Sequence, residues 1–125
     1  MSEIETSLIG FSRGDASEDT FYASNPATGE QLAAAYAPAS DAEVNRAAEL
    51  AEQAAGSLAG LSGAEKAKFL RTVADNVEGI VEDLVSIVTS ETGLPEPRVR
   101  GETGRTSGQL RLFADLVEEG SWVDA

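Results

Sequence analysis

A strand–turn–strand unit followed by three helices is the arrangement the sequence predicts, and three observations carry it. Asn25-Pro26-Ala27-Thr28-Gly29-Glu30 is a turn sequence set between two apolar runs. Ser40-Asp41-Ala42-Glu43 and Ser62-Gly63-Ala64-Glu65 are both Ser-x-x-Glu capping boxes placed just ahead of apolar residues at helical spacing. In such a box the serine accepts from an orphan amide of the first turn and the glutamate reaches back. A third periodic stretch follows Gly93-Leu94-Pro95, a conventional helix stop.

Residues 7–11 form a short apolar run that reads as a strand, and residues 12–19, rich in Gly, Ser and Asp, read as a loop. Residues 20–24 and 31–36 are the two strands flanking the turn. Pro26 presets φ there and Gly29 can take a positive value. The first helix starts at Ser40 and carries Val44, Ala47, Ala48, Ala51, Ala54, Ala55 and Leu58 on one stripe. That stripe is mostly alanine, so the helix is expected to lie close to a neighbour while burying little area; Gly60 and Gly63 end it. The second helix runs on from Ser62, with Leu70, Val73, Ala74, Val77, Val81, Leu84 and Val88 as a continuous, heavier stripe and hence the expected main core element. The third spans about residues 97–118, with Val99, Leu110, Phe113, Ala114 and Val117 on one side. Gly101, Gly104 and Gly108 share a face of it, and each glycine inside a helix costs about 1 kcal/mol relative to alanine. Either the backbone there is approached closely by a packed element or a substrate, or the stretch is partly loop.

The chain's 125 residues suit one domain, and its net charge of −13 is large for that length. So acidic a surface repels phosphate backbones and anionic lipid, which argues against nucleic-acid and membrane partners. A GC-rich genome, salt adaptation or a simply solvated acidic surface would each give this balance, and the last is the reading adopted. There is no cysteine, hence no disulfide framework and no thiolate metal site. Met1-Ser2-Glu3-Ile4-Glu5-Thr6 lacks the basic and apolar regions of a signal peptide. No apolar run approaches the ~18 residues of a membrane span, so a cytoplasmic location is expected. No G-x-G-x-x-G follows a strand, and no Gly-Lys-Ser/Thr phosphate loop occurs.

Two stretches carry a resemblance. One runs from Glu91-Thr92-Gly93-Leu94-Pro95 through Arg105-Thr106-Ser107-Gly108-Gln109-Leu110-Arg111-Leu112-Phe113-Ala114 to Glu119-Gly120-Ser121-Trp122; the other is Phe21-Tyr22-Ala23-Ser24 with the Asn25–Glu30 turn. In this order and spacing the chain resembles the N-terminal region of the aldehyde dehydrogenase superfamily, most of all the α-ketoglutarate semialdehyde (2,5-dioxovalerate) dehydrogenases. Many superfamily members have Lys where this chain has Leu94, and the semialdehyde group tolerates Leu-Pro there.

The resemblance implies an α/β parent fold, with residues 1–125 as the N-terminal part of its nucleotide-binding domain, lacking the dinucleotide-binding sheet and the catalytic domain. It implies NADP or NAD as cofactor of the parent enzyme, a small aldehyde as its substrate, the remainder of the fold as this segment's partner, and a homo-oligomer. The family's chemistry is attack of a cysteine thiolate on the aldehyde, hydride transfer and hydrolysis of the thioester. Its nucleophile, general base and oxyanion-holding asparagine map onto no residue here. With no cysteine, the chain alone is expected to oxidise no aldehyde and bind no nicotinamide nucleotide.

Two smaller family features do map. The carbonyls of Ala23 and Ser24 and the acid Glu91 match a monovalent-cation site, although Glu91 also reads as an exposed residue at a helix end; oxygen ligands suit such a hard ion. Glu102 and Arg105 match positions on a helix that walls the substrate tunnel, although they also read as an i,i+3 surface ion pair. The competing function is a free-standing acidic helical module that binds a protein partner.

Overall fold

The computed structural model describes residues 4–123, so the acidic start at Met1-Ser2-Glu3 and the end at Asp124-Ala125 lie outside the described residues. The chain divides into two compact units, Met1–Ala59 and Gly60–Ala125.

The first unit holds five short strands, β1 (Ile4–Glu5), β2 (Leu8–Ile9), β3 (Ser12–Arg13), β4 (Phe21–Ser24) and β5 (Gln31–Tyr36), and then helix α1 (Asp41–Ala59). The expected strand–turn–strand is β4 and β5, paired antiparallel. Asn25 builds the turn: its amide donates to the Glu30 carbonyl, its carbonyl accepts from the Gly29 amide (both 2.8 Å), and its side-chain oxygen accepts from the Ala27 amide at 2.9 Å. Gly29 completes it at φ +76°, a region that side chains with a Cβ avoid. Opposite each other, Phe21 and Tyr36 stack with ring centroids 5.6 Å apart, a cross-strand aromatic pair of the kind that holds a two-stranded ribbon. The structure adds β1, parallel to the other edge of β5, and finds β2 and β3 forming a hairpin where a single strand and a loop were expected.

Glu43 does two jobs in this unit. It closes the capping box of α1, accepting from the Ser40 amide at 2.7 Å while its own amide donates to the Ser40 hydroxyl at 3.2 Å. Its other oxygen accepts from the Asp15 amide at 2.8 Å, which ties down the loop after β3. These bonds to Ser40 and Asp15 lower the Glu43 pKa. As the alanine stripe implied, α1 buries no residue fully.

The elements described in the second unit are all helices: α2 (Gly63–Gly79), α3 (Val81–Thr92) and α4 (Glu96–Glu119). Three helices were expected and four are present among the described residues, because the long second helix is broken at Ile80, whose φ −109° and ψ 17° lie off the helical values. Gly79 is the weakest helix former short of proline and Ile80 is β-branched, so the helix is least supported at this point. The Ile80 carbonyl then accepts from the Leu84 amide at 3.0 Å and opens α3. The second capping box forms, and Gly93 ends α3 in the left-handed region at φ 70°. The glycine-bearing stretch of α4 is unbroken helix, not loop.

The core lies between α2 and α4, and its residues are small. Ala67 and Ala74 of α2, with Thr103, Ser107 and Ala114 of α4, are buried along with Val99 and Val85. The heavier stripe expected to dominate, Leu70, Val73, Val77, Val81, Leu84 and Val88, is only half-buried, and Phe113 is exposed. Small side chains let two helix backbones approach. At Gly63 the approach is so close that an added Cβ would overlap the Val117 carbonyl. No helix among the described residues is long and apolar enough to cross a membrane.

Two glycine substitutions separate packing from propensity. Gly63→Ala must push α2 and α4 apart and should destabilise by about 1–3 kcal/mol, the usual range for overpacking. Gly108→Ala meets nothing within 4 Å and should stabilise by up to ~1 kcal/mol through helix propensity. Urea midpoints of the two variants against the parent sequence check this; shifts of the same sign would contradict it.

Candidate functional site

Helix α4 carries the residues that the sequence singled out. Pro95 precedes it in extended conformation and Pro97 occupies its first turn, where the missing amide is not needed. One side of the helix is the buried face of Val99, Thr103, Ser107 and Ala114. The hydroxyls on that face are satisfied locally: Thr103 donates to the Val99 carbonyl at 3.0 Å and Ser107 to the Gly104 carbonyl at 3.1 Å.

Arginines fix α4 in place. Arg71 of α2 reaches Asp115 at 2.7 Å and Glu118 at 2.6 Å on α4. Arg111 of α4 reaches back to Asp75 at 2.8 Å and Glu78 at 2.9 Å. Arg100 grips Glu82 of α3 with both terminal nitrogens at 2.8 Å and takes Glu96 with its Nε at 2.8 Å. Each therefore bridges two carboxylates, and Arg100 uses the planar fork that makes such pairs strong. The hydrogen bonds from Arg111 hold Glu78 down at about 2. All three guanidinium pKa values are raised by their carboxylate hydrogen bonds.

Arg105 is different. Arg13 pairs with Glu5, Arg46 with Glu49, and Arg98 with Glu102, so six of the seven arginines have a carboxylate partner. Among the described residues Arg105 alone of the arginines has none. The i,i+3 pair that the sequence allowed between Glu102 and Arg105 does not form; Glu102 is held by Arg98 at 2.7 Å instead. The neighbours of Arg105 one turn away are Gly101, Glu102, Gly108 and Gln109. Two of them carry no side chain and a third is already engaged.

Arg105 and Glu102 line one cavity of about 430 Å³ in the second unit, together with Leu70, Thr106, Gln109, Leu110 and Phe113. That size and that mixture of apolar walls and few polar groups are what small-molecule sites have. Beside it on the helix, Gly101, Gly104 and Gly108 face open space, since a Cβ at any of them would meet no atom within 4 Å. The sequence singled out Arg105 and Glu102 but missed Thr106 and Phe113 as wall residues. The signal was present: 102, 106, 109 and 113 stand at i, i+4, i+7 and i+11, one face of a helix.

The cation ligands expected from the sequence lie in both units. Ala23 and Ser24 are on β4, with Ala23 at a register shift, where backbone groups leave the regular ladder. Glu91 is half-buried in the last turn of α3. Among the described residues no three or more His, Cys, Asp or Glu side chains cluster as a metal site. Nor do the glycines of α4 fit a dinucleotide. They sit inside a helix, where backbone amides are used by the helix itself and cannot cradle a pyrophosphate.

Residues 13–122 match the aldehyde dehydrogenase family. The chain belongs to that family. It is 40% identical over 119 residues to α-ketoglutaric semialdehyde dehydrogenase 2 of Azospirillum brasilense, a match that covers 94% of this chain and 23% of that protein. It is 41% identical over 83 residues to an α-ketoglutaric semialdehyde dehydrogenase of Acinetobacter baylyi, covering 66% of this chain and 16% of the relative. The solved structure of HpcC from Thermus thermophilus superposes with a TM-score of 0.74 at 26% identity, over 81% of this chain and 19% of that one. The fold is thus that of an aldehyde dehydrogenase segment, and the chain spans less than a quarter of the length of these relatives.

Acid tests the Arg111 clamp. Glu78 has its pKa lowered to about 2, against about 4.3 for a free glutamate. A lowered carboxylate contributes stability that is complete above the unfolded value and is lost as pH falls from there through about 2. Glu78→Gln should therefore lose less stability between pH 5 and pH 2, relative to its own value at pH 6, than the parent sequence. Parallel pH profiles from urea titrations would show that the clamp contributes nothing.

Proposed function

We propose that this chain is the N-terminal part of the nucleotide-binding domain of an NAD- or NADP-dependent dehydrogenase that oxidises α-ketoglutarate semialdehyde to α-ketoglutarate through a cysteine thioester, and that α4 walls its substrate passage. The observation that carries this reading is the 40% identity to the Azospirillum brasilense enzyme across 94% of the chain. The cavity of Arg105, Gln109 and their apolar neighbours supports it. So does the open glycine face of α4, because glycine inside a helix is retained only where something else requires it.

In this reading the chain's own residues bind and orient; they perform no covalent chemistry. Without a cysteine, the chain has no thiolate for the aldehyde carbon. Apolar Leu70, Leu110 and Phe113 pack against the carbon chain of the substrate, and Glu102, paired with Arg98, lines the same cavity. The cofactor and the catalytic groups belong to the remainder of the enzyme, which works as a cytoplasmic homo-oligomer.

The test is a pair of assays. The dehydrogenase that carries this segment should reduce NAD or NADP with α-ketoglutarate semialdehyde and favour it over unbranched neutral aldehydes of similar length. The 125-residue chain alone should show no nucleotide reduction and no nucleotide binding by calorimetry. Activity of the chain alone would overturn the assignment, as would a full enzyme that ignores semialdehydes.

A further inference from the structure

We propose that the β2–β3 hairpin is a clasp that grips α1 at two points, Glu43 and Leu50, and that opening the clasp frees α1 from the sheet of the first unit. The proposal concerns the first unit alone and is independent of the reading of α4.

Exposure picks out the two points. Every residue of α1 is exposed except Glu43 and Leu50, which are half-buried. They stand at i and i+7, on one side of the helix, and the hairpin meets both. At its tip Gly10 takes φ +61° and passes so close that an added Cβ would lie 3.2 Å from Leu50 Cδ1. Just after β3, Asp15 donates its amide to Glu43 Oε1 at 2.8 Å. Gly14 makes room for that bond, because an added Cβ would overlap the same oxygen.

The other side of the clasp is anchored. The Gly14 amide closes the hairpin on the Ser7 carbonyl at 2.8 Å, and Arg13 reaches Glu5 of β1 at 3.0 Å. β1 in turn pairs with β5. A hairpin of two-residue strands is marginal by itself, so these ties and the grip on α1 set its position. Between the two points the elements stand apart, around a cavity of about 810 Å³ bordered by Leu8, Ile9, Phe11, Arg46, Leu50 and Ala54. Close-packed interiors leave few voids larger than a water molecule. A helix held across such a gap can leave without breaking a packed core.

Glu43 is the positioning residue of this device, because its two oxygens have separate tasks. Oε2 accepts from the Ser40 amide at 2.7 Å and caps α1, while Oε1 holds the hairpin. Most helices in proteins owe their stability to packing of one face. In α1 the packing available within this unit runs through the clasp.

Hydrogen exchange on the 125-residue chain tests this. Gly14 is not at positive φ, so its backbone accepts alanine, and the flexible carboxylate is what must yield. Gly14→Ala therefore evicts Oε1 and leaves Ser40 on Oε2. The Asp15 amide and the amides of residues 46–58 should then exchange faster by about ten- to a hundredfold, the factor a lost hydrogen bond to a charged group gives. The β4–β5 ladder amides should keep their rates. Leu50→Ala, which retains helix propensity, should accelerate the same α1 amides. Parental α1 rates in both variants would overturn the clasp, as would an α1 that is already unprotected in the parent chain. Loss of protection by the same factor in the β4–β5 ladder would also overturn it, since α1 would then open only with the sheet. If Gly14→Ala fails to fold, Leu50→Ala carries the test by the same comparison.

Discussion

Close approach between α2 and α4 is the constraint on which the second unit depends. Two helices that meet through Gly63, Ala67, Ala74, Ser107 and Ala114 bury little area per residue, so dispersion across a tight fit replaces the usual heavy aliphatic core. Such an interface has little tolerance for misalignment. The arginine bridges set its register: Arg71 crosses from α2 to α4, Arg111 crosses back, and Arg100 joins α4 to α3. These ion pairs are solvent-accessible and individually weak. Their value lies in pairing each cation with two acids, which fixes direction as well as distance.

That arrangement explains how a helix with three interior glycines holds its shape. Gly101, Gly104 and Gly108 weaken α4 and gain no contact in return. Packing on the opposite side, at Val99, Thr103, Ser107 and Ala114, keeps the helix intact. One face is thereby fixed and the other left bare, and Arg105 and the cavity stand at the edge of the bare face.

Much of this was legible in the sequence where local chemistry decides the outcome. Both capping boxes, the Asn25–Gly29 turn and the stop at Gly93 followed from groups within a few residues of one another, and each formed as expected. Reading failed where partners distant in the chain decide. The stripe from Leu70 to Val88 suggested one long core helix, but side-chain size gave no notice that the close contact would run through alanine, serine and threonine, or that Gly79 and Ile80 would divide the helix. Nor did spacing reveal that Glu102 would choose Arg98 over Arg105. Both choices are compatible with a helix, and only the placed side chains distinguish them.

Native-state hydrogen exchange on α4 probes the central claim most directly. If packing against α2 holds the helix despite its glycines, the amides of residues 101–108 should be protected to the same free energy as those of α2 at residues 67–74, and the two sets should open together as one cooperative unit. Amides at 101–108 that exchange as a frayed segment while α2 stays protected would contradict the account, since α4 would then be no fixed wall and Arg105 would have no defined position.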